Sequence, residues 1–404
     1  MKKIILVVID GLADSPVPKL GNKTPLEAAR TPNMDSLMRS GDCGLVSPFW
    51  FKSQKYPRSD TAHLALLGYD PRSYYLGRGP YEVAGIGLDL KEGDVALRAN
   101  FGTVSEDLRI IDRRAGRIRE TMPLIKSIQG ISVKGIKFII KKSYGHRAGL
   151  IMRGKNLSSS ISDGDPHEPG AEISKVVPLD KSRRSAFTAE ALNLYLEKTH
   201  NILKECSLNK QRRKQGKLEA NYLLVRGAGK MKKTPSFKKK HGLKAACIAG
   251  GGLYKGIGKI LGMDVVEVKG ATGLPNTDLK RKFLTAKSLL KKYDFIFCHI
   301  KAPDNFAEDG DFAGKKRFIE KIDMNMKPLL ELSHALVALT GDHATCSLLK
   351  RHCLELVPFF ISGSGENGKK GKFSESGCRN GKLGKIRQIK LMSVIKKYAS
   401  KIEK

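Results

Sequence analysis

The sequence predicts an α/β protein: a doubly wound, mostly parallel sheet with a smaller α+β domain inserted into it. Three observations carry that expectation. Short apolar runs stop abruptly at polar or glycine residues, helical stretches lie between several of them, and a middle region of different texture interrupts the alternation. The runs are Ile4–Ile9 before Asp10, Tyr222–Val225 before Arg226, Leu243–Ile248 before Ala249, Phe295–Ile300 before Lys301, Ala335–Thr340 before Gly341 and Val357–Ile361 before Ser362. Their apolarity is continuous rather than alternating, as expected of strands covered on both faces. Helical stretches at Ala189–Lys204, Asp278–Lys292 and Gly314–Leu332 supply the cover. Strands alternating with helices give a parallel sheet.

The middle of the chain, residues 72–215, holds Gly-rich turns, short β segments (Val95–Asn100, Leu108–Asp112, Lys137–Lys141, Gly149–Arg153) and the loop SSSISDGDPHEPG. It reads as the inserted α+β domain, with the polar, basic stretch SLNKQRRKQGKLEAN at 207–221 as the linker that returns the chain. Residues 1–71 and 216–404 then form the main domain. With 404 residues and 40% hydrophobic content the chain can bury two cores and is not a disordered polymer.

No run approaches the roughly 20 apolar residues of a membrane span. The start, MKKIILVVIDG, resembles a signal peptide only superficially, because its apolar run ends at Asp10 with no small-residue cleavage site. It reads as a first strand, and the protein as cytoplasmic and not membrane-bound. The seven cysteines, at 43, 206, 247, 298, 346, 353 and 378, form no CxxC pair, so packed, reduced thiols are expected rather than disulfides or a zinc knuckle. The formal net charge is +34. Its lysines are spread along the chain, in KMKK, KKK at 238–240, KRK at 280–282 and KKGK at 369–372, without aromatic-interleaved, zinc-finger or helix-turn-helix patterns. The reading is a basic solvated surface suited to an acidic substrate, compatible with nonspecific polyanion contact.

Four places supply metal-type ligands, each at a strand end or helix start. Asp10 closes the first run. Ser59 opens SDTAHLALLGYDP, where Ser59-Asp60-Thr61 offers helix-capping chemistry. Asp304 follows FIFCHI, with Glu308 four residues on, and Asp342, His343 and His352 lie in LTGDHATCSLLKRH. Singly these are a strand terminator, a cap, an acidic loop and a polar turn. A doubly wound sheet brings its carboxyl strand ends to one edge, and seven ligands divide into three plus four, enough for two divalent ions. A serine hydroxyl bound to such an ion becomes a nucleophile near neutral pH.

The chain resembles the archaeal-type 2,3-bisphosphoglycerate-independent phosphoglycerate mutases of the alkaline phosphatase superfamily. The resemblance is carried by VVIDGLAD, KTPLEAARTPNMDSL, SDTAHLALLGYDP, GRGPYEVAGIGLDL, IDRRAGRI, SDGDPHEPG, LLVRGAGK, GLKAACIAGGGLYKGIG, FCHIKAPD and LTGDHAT, in family order over nearly the whole chain. It implies an alkaline-phosphatase-like catalytic domain holding two divalent metals, Mn or Mg foremost with Co or Zn as alternatives, and an inserted domain that closes over substrate. By resemblance Asp10, Ser59, Asp342 and His343 bind one metal, and Asp304, position 308 and His352 the other. Ser59 carries the phosphoryl group between 3-phosphoglycerate and 2-phosphoglycerate, with no 2,3-bisphosphoglycerate required. Arg113, His146, Arg147, Arg226 and Lys244 fall in motifs expected to hold carboxylate and phosphoryl oxygens. Asp112 is placed to orient glycerate hydroxyls or to shuttle a proton. A homo-oligomer is compatible with the family. GGGLYKGIG lacks the GxxxxGK[ST] spacing, so it reads as a backbone turn and no nucleotide is implied.

The sequence departs from the family at three points. DEAGHDGD reads DNFAEDGD here, so Glu308 stands where the family has a metal-binding histidine. Oxygen replaces nitrogen, which favours Mn or Mg over Zn. Arg58 replaces the glycine before the serine, and Cys346 stands where the family has proline after DHxT. The alternative reading is a degenerate member that acts as a weak metal-dependent phosphatase or binds polyanions.

Overall fold

The computed structural model describes residues 3–363 and 371–401. Lys369 and Lys370 of the KKGK run lie outside the described residues. The chain divides into two compact units, Met1–Tyr75 with Pro235–Lys404, and Leu76–Thr234.

The first unit carries an eight-stranded sheet in the order Asp264–Val265, Ala245–Ile248, Phe295–Ile300, Lys3–Ile9, Ala335–Thr340, Val357–Ser362, Gly41–Ser47, Gly384–Arg387. The first five run parallel. Val357–Ser362 is antiparallel to both neighbours, and Gly41–Ser47 pairs in parallel with Gly384–Arg387. Every residue of Phe295–Ile300 and Ala335–Thr340 is buried, as their unbroken apolar runs require. Ile5, Val7 and Ile9 meet Phe283, Phe318, Ile319 and Ile322 from the covering helices Leu279–Leu289 and Phe312–Asn325. The stretch expected to be one helix to Leu332 instead breaks at Met326 and restarts as Lys327–Leu330, where Pro328 has no N–H to continue the ladder. No helix among the described residues is long and apolar enough to cross a membrane.

The second unit is an antiparallel sheet in the order Ile110–Asp112, Val95–Val104, Arg147–Arg153, Ile136–Lys142, Ser132–Val133, with Tyr222–Lys230 also paired to Val95–Val104. The 23-residue helix Arg183–Glu205, capped by Ser182, packs Leu192, Tyr195 and Leu196 into its core. This corrects the sequence reading at two points. The run beginning at Tyr222 belongs to the second sheet, because continuous apolarity reports burial on two faces but not the partner strand. The expected linker is ordered: Ser207–Lys214 is a helix, and buried Asn209 donates to Leu203 O and Ala220 O while accepting from Ala220 N–H.

The cysteine expectation is also corrected. Cys346 and Cys353 form a disulfide, Cα–Cα 5.9 Å, across the hairpin of Ala344–Cys346 and Arg351–Cys353. The hairpin brings them together at a separation that no CxxC rule detects. The remaining five stay as thiols.

A buried ion pair ties this hairpin to the loop after the first strand. Lys315 is fully buried and donates to Ala13 O at 3.0 Å, Asp14 Oδ2 at 2.9 Å and Thr345 O at 3.0 Å. Ser347 donates to Asp14 through both its backbone N–H and its hydroxyl. Removing one partner of a buried pair typically costs about 3–5 kcal/mol, because the other charge stays in low dielectric. Lys315→Met should therefore lower unfolding free energy by about that amount in urea titrations. A loss within the scatter of surface substitutions would show that the pair does not brace the hairpin.

Candidate active site

The parallel strands Lys3–Ile9, Phe295–Ile300 and Ala335–Thr340 end side by side, so the residues after them share one edge. Asp10 and Asp342 sit there directly, and Asp304 enters on the first turn of the helix Ala302–Asp309. The chain turns at Gly11 with φ +63°, where a Cβ would lie 2.6 Å from Thr345 Oγ1 and 2.8 Å from Asp304 Oδ1. Only glycine lets the loop close this tightly over the carboxylates.

Ser59 is the first residue of the helix Ser59–Leu66 and is buried. The capping expectation is corrected: extended Arg58 occupies the cap position without a side-chain hydrogen bond, and Asp60 accepts from Thr61 N–H. The serine hydroxyl is thus spared for other work. Arg58 does not crowd it, because its half-exposed guanidinium turns to Asp60 Oδ2 at 3.1 Å.

Ser59 Oγ lies 3.1 Å from His343 Nε2, which is itself 3.1 Å from Asp342 Oδ2 and 3.8 Å from Asp10 Oδ1. These four residues form one group. Asp304 Oδ1 and Glu308 Oε1 lie 3.6 Å and 3.9 Å from His352 Nε2, and form a second. The imidazoles of His343 and His352 stack at 3.7 Å between centroids, so the groups adjoin. His352 Nδ1 donates to Pro57 O at 2.7 Å, which turns the Nε2 lone pair toward the carboxylates.

Lys301, which sequence reasoning passed over, donates to Asp10 Oδ1 at 3.2 Å and also to Asp304 Oδ2. The signal was available in FCHIKAPD, but only the pairing of strands shows that the lysine reaches both aspartates. Burial raises Asp10 and Asp304, but Lys301 and the neighbouring imidazoles together outweigh it and hold both below the usual carboxylate range. Asp342 has no such partner. Burial, and then Asp10 beside it, pushes its carboxyl up to about 7. Glu308 is raised by burial and by Asp304. Burial lowers His343 and His352, keeping the imidazoles neutral.

The set fits divalent cations. Asp342 Oδ2 is buried and finds no hydrogen-bond partner among the described residues. Asp10, Asp342 and His343, and separately Asp304, His343 and His352, converge closely enough to share an ion. Carboxylate oxygens with neutral imidazoles and a hydroxyl suit Mn, Mg, Co or Zn.

The remaining expected residues distribute differently. Lys244 precedes the strand Ala245–Ile248 and so lies at the opposite, amino edge, with its ammonium 5.2 Å over the Tyr293 ring. The expectation that it holds carboxylate or phosphoryl oxygens meets a strand direction that starts it at the edge away from Asp10 and Asp342. In the second unit, Arg113 makes a bidentate pair with Asp165 at 2.9 and 2.7 Å, and Arg113 and Arg226 meet at His167 Nδ1, 3.1 and 3.2 Å away. Asp112 accepts from Arg114 N–H at 2.5 Å. His146 is pushed down to about 4 by burial and Arg147. Arg98, unmarked in the sequence reading, pairs across the sheet with Arg226, and its buried Nε has no hydrogen-bond partner among the described residues. Its pKa is lowered to about 9 by burial. Nearby Glu82 engages Arg78 and Arg98. Arginines outnumber carboxylates here, a composition whose chemistry suits an anion.

Between the ordinary aspartate value of 3.8 and about 7, folded metal-free protein holds the Asp342 proton more tightly than the unfolded chain. The stability that this proton contributes therefore falls as pH rises through that window. Asp342→Asn should flatten the decline in chelator-treated protein measured by thermal unfolding across it. A slope unchanged from the parent would assign the pH dependence elsewhere.

Comparison with known proteins places this arrangement. A family model described as the metalloenzyme superfamily matches residues 2–397. The 2,3-bisphosphoglycerate-independent phosphoglycerate mutase of Methanococcus aeolicus is 46% identical over 364 residues, 89% of each chain. The solved cofactor-independent phosphoglycerate mutase from Thermoplasma acidophilum is 37% identical with a TM-score of 0.72, covering 99% of this chain and 100% of that one. A solved protein from Pyrococcus horikoshii is 32% identical with a TM-score of 0.84, covering 99% and 97%.

Proposed function

The chain belongs to the 2,3-bisphosphoglycerate-independent phosphoglycerate mutases of the metalloenzyme superfamily, and from that membership we propose how its residues interconvert 3-phosphoglycerate and 2-phosphoglycerate. The observation that carries the reading is the buried Ser59 hydroxyl at a helix start, 3.1 Å from His343 Nε2, which in turn lies 3.1 Å from Asp342 Oδ2 and 3.8 Å from Asp10 Oδ1. Asp10, Ser59, Asp342 and His343 would hold one divalent ion, and Asp304, Glu308 and His352 the other. Bound there, the ions supply a lowered hydroxyl pKa and neutralise charge on the transferring phosphoryl group.

Ser59 Oγ gives up its proton and bonds to phosphorus as the bond to the substrate's 3-oxygen breaks, and that oxygen takes up the proton to give glycerate and phosphoserine. The 2-hydroxyl then loses its proton, its oxygen bonds to phosphorus, and Ser59 Oγ leaves. No phosphate need come from 2,3-bisphosphoglycerate, because the serine carries it. Burial of Ser59 supports transfer to glycerate over transfer to water. Arg113, His146, Arg147 and Arg226 are assigned to the substrate's anionic oxygens, and Asp112 to orienting the glycerate hydroxyls and moving the proton. The reaction is assigned to the cytoplasm.

Glu308 gives the second group an Asp, Glu, His donor set, which is harder and more negative than one with a second imidazole. We assign Mn or Mg as its working ions. A coupled assay of 2-phosphoglycerate formation should show turnover with Mn or Mg exceeding that with Zn. Folded protein inactive with Mn, Mg, Co and Zn alike would reject the mutase reading. Glu308→His should move the preference toward Co or Zn, and an unchanged metal profile would remove Glu308 from the ligand set.

A further inference from the structure

The Gly-rich segment GGGLYKGIG does more than turn the chain. Gly250 is pressed against another backbone, since a Cβ there would lie 2.1 Å from the carbonyl carbon of Thr272. The segment then opens the helix Gly252–Ile260, whose first turn carries Tyr254 inward. Tyr254 is buried, and its hydroxyl donates to Asp10 Oδ2 at 2.5 Å. His299, one residue before the end of its strand, meets the same oxygen through Nε2 at 3.0 Å. A carboxylate only accepts, so Nε2 carries the proton in that bond.

The two donors are locked together. The Tyr254 and His299 rings stack with centroids 3.5 Å apart and planes at 22°. His63 packs against both, 4.8 Å from the phenol ring and 5.0 Å from the imidazole. Its own Nδ1 donates to Ser59 O at 2.7 Å, so the helix bearing the nucleophile supports the stack from one side. Asp10 Oδ2 is thus saturated. Oδ1 is left facing Lys301 at 3.2 Å and His343 Nε2 at 3.8 Å.

We propose that Tyr254 and His299 are positioning residues that reserve Asp10 as a one-oxygen metal ligand, by occupying Oδ2 and aiming Oδ1 at the ion beside Ser59. A carboxylate held this way cannot chelate through both oxygens. Ions that take six to eight oxygens, often from bidentate carboxylates, lose a contact, whereas compact ions with fewer ligands do not. The clamp therefore selects Mn or Mg over Ca at this position. The inference rests on reading Asp10 as a metal ligand.

The test is direct titration of Mn²⁺ and Ca²⁺ into the chelator-stripped full chain by calorimetry, with thermal unfolding of each stripped variant as the folding control. Tyr254→Phe deletes one hydroxyl and keeps the stack. It should weaken one Mn²⁺ site by roughly 10- to 100-fold, the usual cost of losing an outer partner, and narrow the preference for Mn²⁺ over Ca²⁺. The activity readout should show a higher Mn²⁺ requirement, with a smaller change in kcat at saturating metal. His299→Gln, which keeps an N–H donor, should lose less affinity than His299→Leu. Wild-type Mn²⁺ constants in Tyr254→Phe, or an unchanged Mn²⁺ to Ca²⁺ ratio, would overturn the clamp. Failure of the wild-type chain to bind Mn²⁺ would instead overturn the ligand assignment on which it rests.

Discussion

Carboxylates crowded out of water at one sheet edge are the constraint around which this molecule is arranged. Asp10, Asp304 and Asp342 are each fully buried. Like charges about 4 Å apart repel by on the order of 4 kcal/mol at an effective dielectric near 20, before any cost of desolvation. A fold tolerates that only if cations, protons or donors are supplied. Lys301 supplies an ammonium to Asp10 and Asp304, Tyr254 and His299 add donors to Asp10, and Asp342, pushed up to about 7 by burial and Asp10, is driven toward its neutral form. The Lys315–Asp14 pair and the tight turn at Gly11 keep the loops bearing these groups from separating.

The parts of this arrangement that were legible in the sequence are those tied to the backbone. A continuous apolar run that stops at a polar residue marks a buried strand and the group at its carboxyl end, which is how Asp10, Asp342 and His343 stood out. Ser59 was visible as the start of an apolar helical run. Partners that meet only through tertiary packing were not. Tyr254 reaches Asp10 across 244 positions and Lys315 reaches Asp14 across 301. No local pattern encodes either meeting, and a Gly-rich segment read alone gives a turn. The sheet of Tyr222–Lys230 and the edge of Lys244 were hidden for a related reason: apolarity reports burial, while sheet membership and strand direction decide which edge a residue reaches.

Glu308 is informative because it adds negative charge where charge is already hard to bear. The structure moderates the cost in two ways. Its side chain is 52% exposed, unlike the three aspartates, so water screens it. Its carboxyl is also raised by burial and by Asp304, so without a cation it takes up a proton more readily than a free glutamate and sheds its charge. A carboxylate at the solvent side of a metal group is a tolerable exchange for imidazole. The same exchange at the position of His343, fully buried between Asp10 and Asp342, would add a fourth charge with no water near it.

The net charge of +34 takes on meaning against this acidic site. The carboxylates gathered at this sheet edge disfavour the approach of a phosphorylated acid, so the substrate must be attracted by something else. Divalent cations held by these groups would reverse the sign locally. The arginine cluster of Arg78, Arg98, Arg147 and Arg226 provides positive charge in the second unit, where burial, and after it the neighbouring arginines, lowers Arg98 to about 9. Over longer distances a lysine-rich surface raises the local concentration of anions of every kind, an attraction that salt screens beyond about 10 Å. Surface charge thus governs how often an anion arrives. Discrimination among anions falls to the buried groups, where each hydrogen bond acts in low dielectric and a misplaced oxygen leaves a partner unsatisfied.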